Sequence, residues 1–433
     1  MNLSRSQHWF TYLCLLLVFT LPATAQSQTL LDGEAHPSLV GPVLFNDSFD
    51  VSVDVLDVAS DGRVLIAGQF DRIGAFVRRG IARLNADGTM DTSFVTSVDG
   101  TIHAIKVLSS GKIMLGGEFS RINNIARTNI ARLNSDGSID SGFNATTDSV
   151  VRVFYERENG KLLIGGHFTQ VNGQAETYLA QLLNSGALDT NFAAPYLEAR
   201  PSHSRREGVH AIAEIESELL ADNKLVVAGD FYPPPGDTRE RIAKLNNDGS
   251  RDESFVFDVG GRTVLGAIEM LAIEDTGNIL IAGSISFILD DMIEYSHLAR
   301  VDADGTLLPS YAPKPSGGVE DILLLSNGEL MLAGEFNRFD GVSSPYLAIL
   351  KSDGTLSSNN VSYGVQNTTQ LGLQSDGTIV LGGSFKTVFD TTTLHVANGV
   401  TRISNAGVVQ NAPRFEMLLA GGKFTAVASD RKG

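Results

Sequence analysis

The chain has 433 residues, 42% of them apolar, and a formal charge of −17. That acidity argues against nucleic acid or an anionic membrane surface as partner, since both would repel it. Cys14 and Trp9 are its only Cys and Trp, so the chain beyond them folds without a disulfide and must hold itself by core packing.

Residues 1–25 read as a secretory signal peptide. Arg5 gives a short basic start, residues 10–21 are almost wholly apolar, and Ala23-Thr24-Ala25 forms an A-x-A cleavage site. The apolar run is short for a membrane span, which sets aside the rival reading of a retained anchor. Cleavage removes Arg5 and takes the charge from −17 to −18. The expected location is secreted, periplasmic or cell-surface, with no membrane insertion once the signal is gone. Residues 26–44 follow as an N-terminal extension, 45–427 as one repeat domain and 428–433 as a tail.

The repeat domain announces itself by register. Phe70, Phe119 and Phe168 stand 49 residues apart, and Leu84, Leu133 and Leu182 keep the same period, as do Gly88, Gly137 and Gly186. A period of this length marks a repeated structural unit that packs only on its neighbours. That solves the problem of folding some 400 residues when one compact core stops growing near 250–300.

The second unit is the clearest. Residues 102–108 alternate imperfectly, and Ser109-Ser110-Gly111-Lys112 is turn chemistry. Ile113-Met114-Leu115-Gly116-Gly117-Glu118-Phe119 reads as a buried strand, Ile130-Ala131-Arg132-Leu133 as a third, and a short fourth ends at Phe143 after Asn134-Ser135-Asp136-Gly137. The Gly pair inside a strand implies close backbone approach or a kink. The Asn-x-Asp-Gly tetrads suit tight turns in which Asx side chains accept from local N–H groups and Gly takes positive φ.

Seven complete units result, the fourth to seventh looser than the first three. Fragments of an eighth lie at the two ends: Asn46-Asp47-Ser48-Phe49 matches the close of a unit, and residues 415–424 match its Gly-Gly-x-Phe strand. The expectation is an all-β fold, a β-propeller of antiparallel four-stranded blades. It has seven blades, or eight if the two termini complete a shared one.

The strand residues 113–119 and the stretch 130–143 resemble the delta-60 repeat, a bacterial β-propeller repeat, over about residues 45–424. The resemblance implies a scaffold on exported or surface proteins and brings no catalytic residues with it. The Gly doublet is also similar to that of kelch blades, but their usual Trp is missing.

Motifs for chemistry are sparse. Asn85-x-Asp87-Gly88 with Asp91, and Asn134-x-Asp136-Gly137 with Asp140, resemble half of a calcium loop, but no bidentate Glu follows and a capped turn is the plainer reading. Ca²⁺ is the one cofactor the sequence suggests. It contains no G-x-S-x-G elbow, phosphate loop or zinc spacing. Between Phe192 and Phe231 lie 14 more residues than between Phe143 and Phe168, and this insertion carries Arg200, His203, Arg205, Arg206 and His210, with Tyr232 just after it. Insertions in repeat proteins fall on binding faces, so these six are the candidate binding residues. The expected function is a non-catalytic binding scaffold for an extracellular protein or glycan. The alternative is a polysaccharide hydrolase or lyase with carboxylates near the propeller axis.

Overall fold

The computed structural model describes residues 44–45 and 51–410, apart from 195–196, 198–206, 216–222, 232–239, 290–291, 361–366, 386, 390–393, 398 and 405–408. Among these residues the regular secondary structure is all β.

Seven sheets share one plan, in which each unit's second strand lies between its first and third. In sheet one these are Ser52–Val58, Val64–Gln69 and Ile81–Leu84. Sheet two has Thr101–Val107, Ile113–Glu118 and Ile130–Leu133; sheet three has Val151–Glu156, Leu162–Gly166 and Leu179–Leu182. Sheet four has Gly208–Ile215, Lys224–Phe231 and Glu240–Leu245. Sheet five has Ile268–Ile273, Ile279–Leu289 and Met292–Val301. Sheet six has Val319–Leu324, Leu330–Gly334 and Leu347–Leu350, and sheet seven Thr368–Leu373, Ile379–Gly383 and Val400–Ile403.

The fourth strand is vestigial. In six sheets it is one antiparallel bridge, such as Leu84 to Met90 or Leu133 to Ile139; in the seventh it is Val409–Gln410. The turn before it is built as its sequence requires. Asp136 Oδ1 accepts from the Ser138 N–H at 2.9 Å, and Gly137 takes φ +90°, a conformation that costs a glycine little.

First strands pack on first strands in an unbroken cycle, and Thr368–Leu373 packs on Ser52–Val58 to close it. Seven apolar clusters fill the seven gaps between neighbouring sheets. At the closing gap Val380 and Val400 of sheet seven join Val53, Val64 and Ile66 of sheet one. Each strand is apolar on both faces because each sheet is covered on both sides. Phe70, Phe119, Phe168, Phe231, Phe336 and Phe385, with Ile285 in the fifth unit, are all buried.

A second set of contacts ties each sheet to the turn of the next. Arg83 of sheet one donates from Nε to Asp91 at 2.7 Å, lies 4.8 Å over the Phe94 ring, and reaches the Ser135 carbonyl in the sheet-two turn. Arg132 repeats this with Asp140 at 2.6 Å, Phe143, and Asn184 in the turn of sheet three. In sheet three Gln181 replaces the arginine, and Arg157 supplies the guanidinium, bonding Gln181 at 2.9 Å and the Asn247 carbonyl at 3.1 Å.

Candidate functional site: one polar mouth of the ring

Antiparallel order brings the start of each first strand, the end of each second and the start of each third to one edge of the sheet. Three positions there carry polar side chains in sheet after sheet.

The first is a β-bulge. In every sheet the register slips by one residue near the start of the first strand, as between Val53 and Val55 or Val151 and Val153. The extra residues are Asp54, His103, Arg152, His210, Glu269, Glu320 and Thr369. Bulges re-aim a side chain out of the alternating pattern, here into the space the first strands enclose. The bulge also explains the glycine opposite. A Cβ on Gly166 would lie 2.1 Å from the Val150 carbonyl oxygen, one on Gly117 2.1 Å from that of Thr101, and one on Gly383 2.0 Å from that of Asn367. The expected close backbone approach is therefore present, and it is the bulge that makes it.

The second position follows that glycine: Gln69, Glu118, His167, Asp230, Ser284, Glu335 and Ser384. The third precedes the third strand, or in sheet five lies at the register break within it, and has left-handed φ in six sheets: Gly80, Asn129, Tyr178, His297, Tyr346 and Gly399, from +62° to +76°. Glycine fills the position in sheets one and seven; in sheets two, three, five and six a bulky polar residue is held there at a conformational cost of about 1–3 kcal/mol.

Acids and bases mix around the mouth: Asp54 is the bulge residue of sheet one, and Glu118 and Asp230 hold the second position in sheets two and four. Sheets two, three and four present His103, Arg152 and His210 at the bulge, while five and six present Glu269 and Glu320. They share one field: the guanidinium of Arg152, on sheet three, feels Glu269 on sheet five as well as Glu118. Burial, then the neighbouring Glu335 and Glu269, push the Glu320 carboxyl up to about 7. Burial and the Arg152 charge lower the His103 imidazole, against the opposing pull of Glu118 and Asp54.

Between sheets two and three the mouth deepens into a cleft of about 300 Å³ lined by Glu118, Asn129, Asp148, Ser149, Val150, Arg152 and His167. The Asp148 carboxylate is committed to the Thr169 and Gln170 N–H groups and the Thr169 hydroxyl. Ser149 Oγ lies 3.2 Å from His167 Nδ1, and the His167 ring stacks on Tyr178 at 6.3 Å.

Of the six residues the sequence singles out, the structure places His210 at the mouth, as the bulge residue of sheet four. Arg200, His203, Arg205, Arg206 and Tyr232 lie outside the described residues, as do the signal peptide and both end fragments, 46–49 and 415–424. The Asp residues considered for calcium bind their own surroundings: Asp87 and Asp136 cap their turns, while Asp91 and Asp140 pair with Arg83 and Arg132. Among the described residues no group of three or more His, Cys, Asp or Glu could hold a metal ion, and no helix is long and apolar enough to cross a membrane.

Six segments of the chain, residues 59–94, 108–143, 158–192, 220–255, 325–356 and 374–397, match a family described as a beta-propeller domain of unknown function, DUF5122. No curated protein matches the chain. Among solved structures it is similar to a streptogramin B lyase, at 15% identity and TM-score 0.41, covering 79% of this chain and 95% of that one. Virginiamycin B lyase from Staphylococcus aureus is similar at 13% and 0.44, with the same coverage. YCF48 bound to D1 peptide is similar at 10% and 0.40, over 80% of this chain and 94% of that one. At these scores none of the three carries information on what this chain binds. The recurrent match along the chain, together with the all-β repeated sheets, shows a chain built from propeller-type repeats.

Proposed function

We propose that the chain is an exported, non-catalytic binding scaffold, a seven-bladed propeller of delta-60-type repeats that takes an extracellular protein or glycan at its polar mouth. One observation carries this reading: bulges at one register position in all seven sheets present seven polar side chains at the same edge of the cycle. A scaffold needing only solubility has no use for strained Asn129, Tyr178, His297 and Tyr346 where Gly80 and Gly399 do the same backbone work. Propeller mouths are concave and pre-formed, as binding sites usually are. The blade count rests on direct packing of sheet seven on sheet one and on the matching apolar cluster between them.

A second reading, hydrolysis or elimination on a polysaccharide, is favoured by Glu320. Its carboxyl at about 7, beside Glu269 and Glu335, has the poise of a general acid or base.

Arrays of extracellular glycans and exported proteins probed with the mature chain separate these readings. The scaffold reading predicts a partner held without turnover, and weakened binding in a His210→Ala, Glu269→Gln double variant. Retained binding in that variant would move the site off the mouth. Turnover of a bound glycan, abolished by Glu320→Gln, would favour the enzyme.

A further inference from the structure

We propose that two neighbouring hairpins on the mouth edge of sheets one and two form a docking surface for an acidic protein segment carrying apolar side chains. The surface is separate from the seven bulge residues, and the proposal does not depend on what the mouth binds.

The hairpins lie between the second and third strands of their sheets. The first pairs Arg72–Ile73 with Phe76–Val77, and the second pairs Arg121–Ile122 with Ile125–Ala126. Their bases are fixed. Ile73 and Ile122 are buried, and Ile122 shares an apolar cluster with Ile81, where the chain leaving the first hairpin enters its third strand. That cluster makes the two hairpins neighbours. Asp99 accepts from the Ser120 and Arg121 N–H groups at 2.8 Å, and Asn123 Oδ1 accepts from the Ser97 N–H at 2.9 Å. A surface held this firmly gives up little entropy to a partner.

The charge selects an acid. In a chain of charge −17 these hairpins gather five arginines, Arg72, Arg78, Arg79, Arg121 and Arg127, beside two acids, Asp71 and Asp99. Asp71 lies 3.9 Å from Arg79, Asp99 is turned to backbone N–H groups, and Glu118, just before the second hairpin, lies 3.9 Å from His103. The other four guanidiniums donate to carbonyls of their own hairpins, those of Ala75, Val77, Asn124 and Ala126. Those bonds aim the planar fork without neutralising it, and among the described residues none of the four forms an ion pair. At physiological salt an exposed charge is felt over about 8 Å. A short acidic segment therefore meets this patch, whereas a long polyanion also meets the net charge of the chain.

The apolar residues select protein. Val77 is 56% exposed and Ile125 47%, among the arginines and with no lysine in either hairpin. Arginine with apolar side chains and without lysine is the composition of protein interfaces. An anionic glycan would set its hydroxyls against Val77 and Ile125 at a loss. In sheet three the positions of Arg121 and Arg127 are Gln170 and Glu176, so on that side the patch ends at sheet two.

The test pans a display library of short random peptides on the mature chain and measures the enriched peptides by fluorescence anisotropy. They are expected to combine Asp or Glu with Leu, Val or Phe, and to bind less tightly at about 1 M salt than at about 0.15 M. Replacing Arg72, Arg78, Arg121 and Arg127 together by Gln is expected to weaken them roughly tenfold or more. Val77→Ser with Ile125→Ser keeps every charge and is expected to weaken them about fivefold. Indifference to either variant, or enrichment of no acidic peptide, would overturn the proposal. Polygalacturonate that binds the parent, loses affinity in the arginine variant and ignores the serine variant would make the occupant a glycan and overturn it too. The His210→Ala, Glu269→Gln variant should bind the peptides as the parent does; loss there would place them at the mouth and overturn the hairpin surface.

Discussion

Gln374 Nε2 donates to the carbonyl oxygen of Ala86 at 3.0 Å, across 288 positions of sequence. Gln374 stands just after the first strand of sheet seven and Ala86 lies in the turn of sheet one, so this bond sits on the seam of the ring. The Gln374 oxygen in turn accepts from Arg402 Nε at 3.0 Å. The seam thus repeats in glutamine the link that arginines make between earlier sheets.

Loss of that link should loosen the ring where it closes. Gln374→Ala is expected to cost about 1–3 kcal/mol, because the Arg402 guanidinium, the buried Gly62 carbonyl and the half-buried Ala86 carbonyl lose this partner. Urea denaturation measures the cost. Hydrogen exchange should rise first in sheets one and seven; a uniform rise would mean the seam is no weaker than the other joints.

The glycine opposite each bulge is an expected point of failure. Gly166→Ala places a methyl 2.1 Å from the Val150 carbonyl oxygen, a backbone atom that cannot swing away, and should cost about 3 kcal/mol or more. Gly160→Ala, with nothing within 4 Å and φ +73°, should cost only about 1 kcal/mol. Thermal melts of the two variants give the comparison, and equal costs would remove the bulge as the glycine's reason.

Acid should strike the belt of arginine pairs. Burial raises the Asp140 carboxyl, but bonds from Lys112 and Arg132 outweigh it and hold the group at about 2, against 3.8 ordinarily. The lowered value means the folded state releases this proton more readily than the unfolded chain. Its contribution is therefore present above pH 3.8 and lost as pH falls through about 2. Asp140→Asn is expected to cost about 2 kcal/mol at pH 7 and nothing near pH 2. A cost independent of pH would show that shape, not charge, is what Asp140 supplies.

Glu320 behaves in the opposite sense. Its folded value of about 7 lies above the ordinary 4.5, so the folded state holds the proton more tightly. Stability from this group is full below pH 4.5 and declines as pH rises through 7. Glu320→Gln should gain about 1 kcal/mol on the parent at pH 8, allowing for solvent screening, and none at pH 4. Denaturation midpoints at the two pH values decide it; a gain at pH 4 would place the effect elsewhere.

What the sequence discloses follows from which demands are local. The Gly doublets and the Asx turns answer backbone needs within a few residues, and both are readable: Gly137 at φ +90° and the crowded Gly117 are as the text implies. Apolar runs repeating at 49 residues disclose the stacked sheets. The fourth strand is overdrawn, because the residues after Ile139 leave the sheet at once: Asp140 turns to Arg132 and the Gly142 N–H, and Phe143 enters the core.

The mouth was nearly legible. Polar residues between apolar ones, as in Val53-Asp54-Val55 and Val151-Arg152-Val153, recur in the first five units, and the imperfect alternation of residues 102–108 is the bulge at His103 seen from the sequence. One break looks like drift; seven at one register position make a ring. The cationic insertion before Phe231 draws the eye because it is irregular, and of its described residues His210 stands at the mouth. Which residues face each other across the axis depends on closure, a relation between sheets that no local pattern holds.

The distance across the seam tests the central claim most directly. Spin labels on Ala86→Cys and Asp376→Cys, in mature chain lacking Cys14, report it by double electron–electron resonance. A closed cycle of seven sheets predicts one short, narrow distance, since Gln374 already touches the Ala86 turn. An open stack, with sheets about 10 Å apart, would separate the labels by on the order of 60 Å, and a long or broad distribution would contradict the ring and the mouth it encloses.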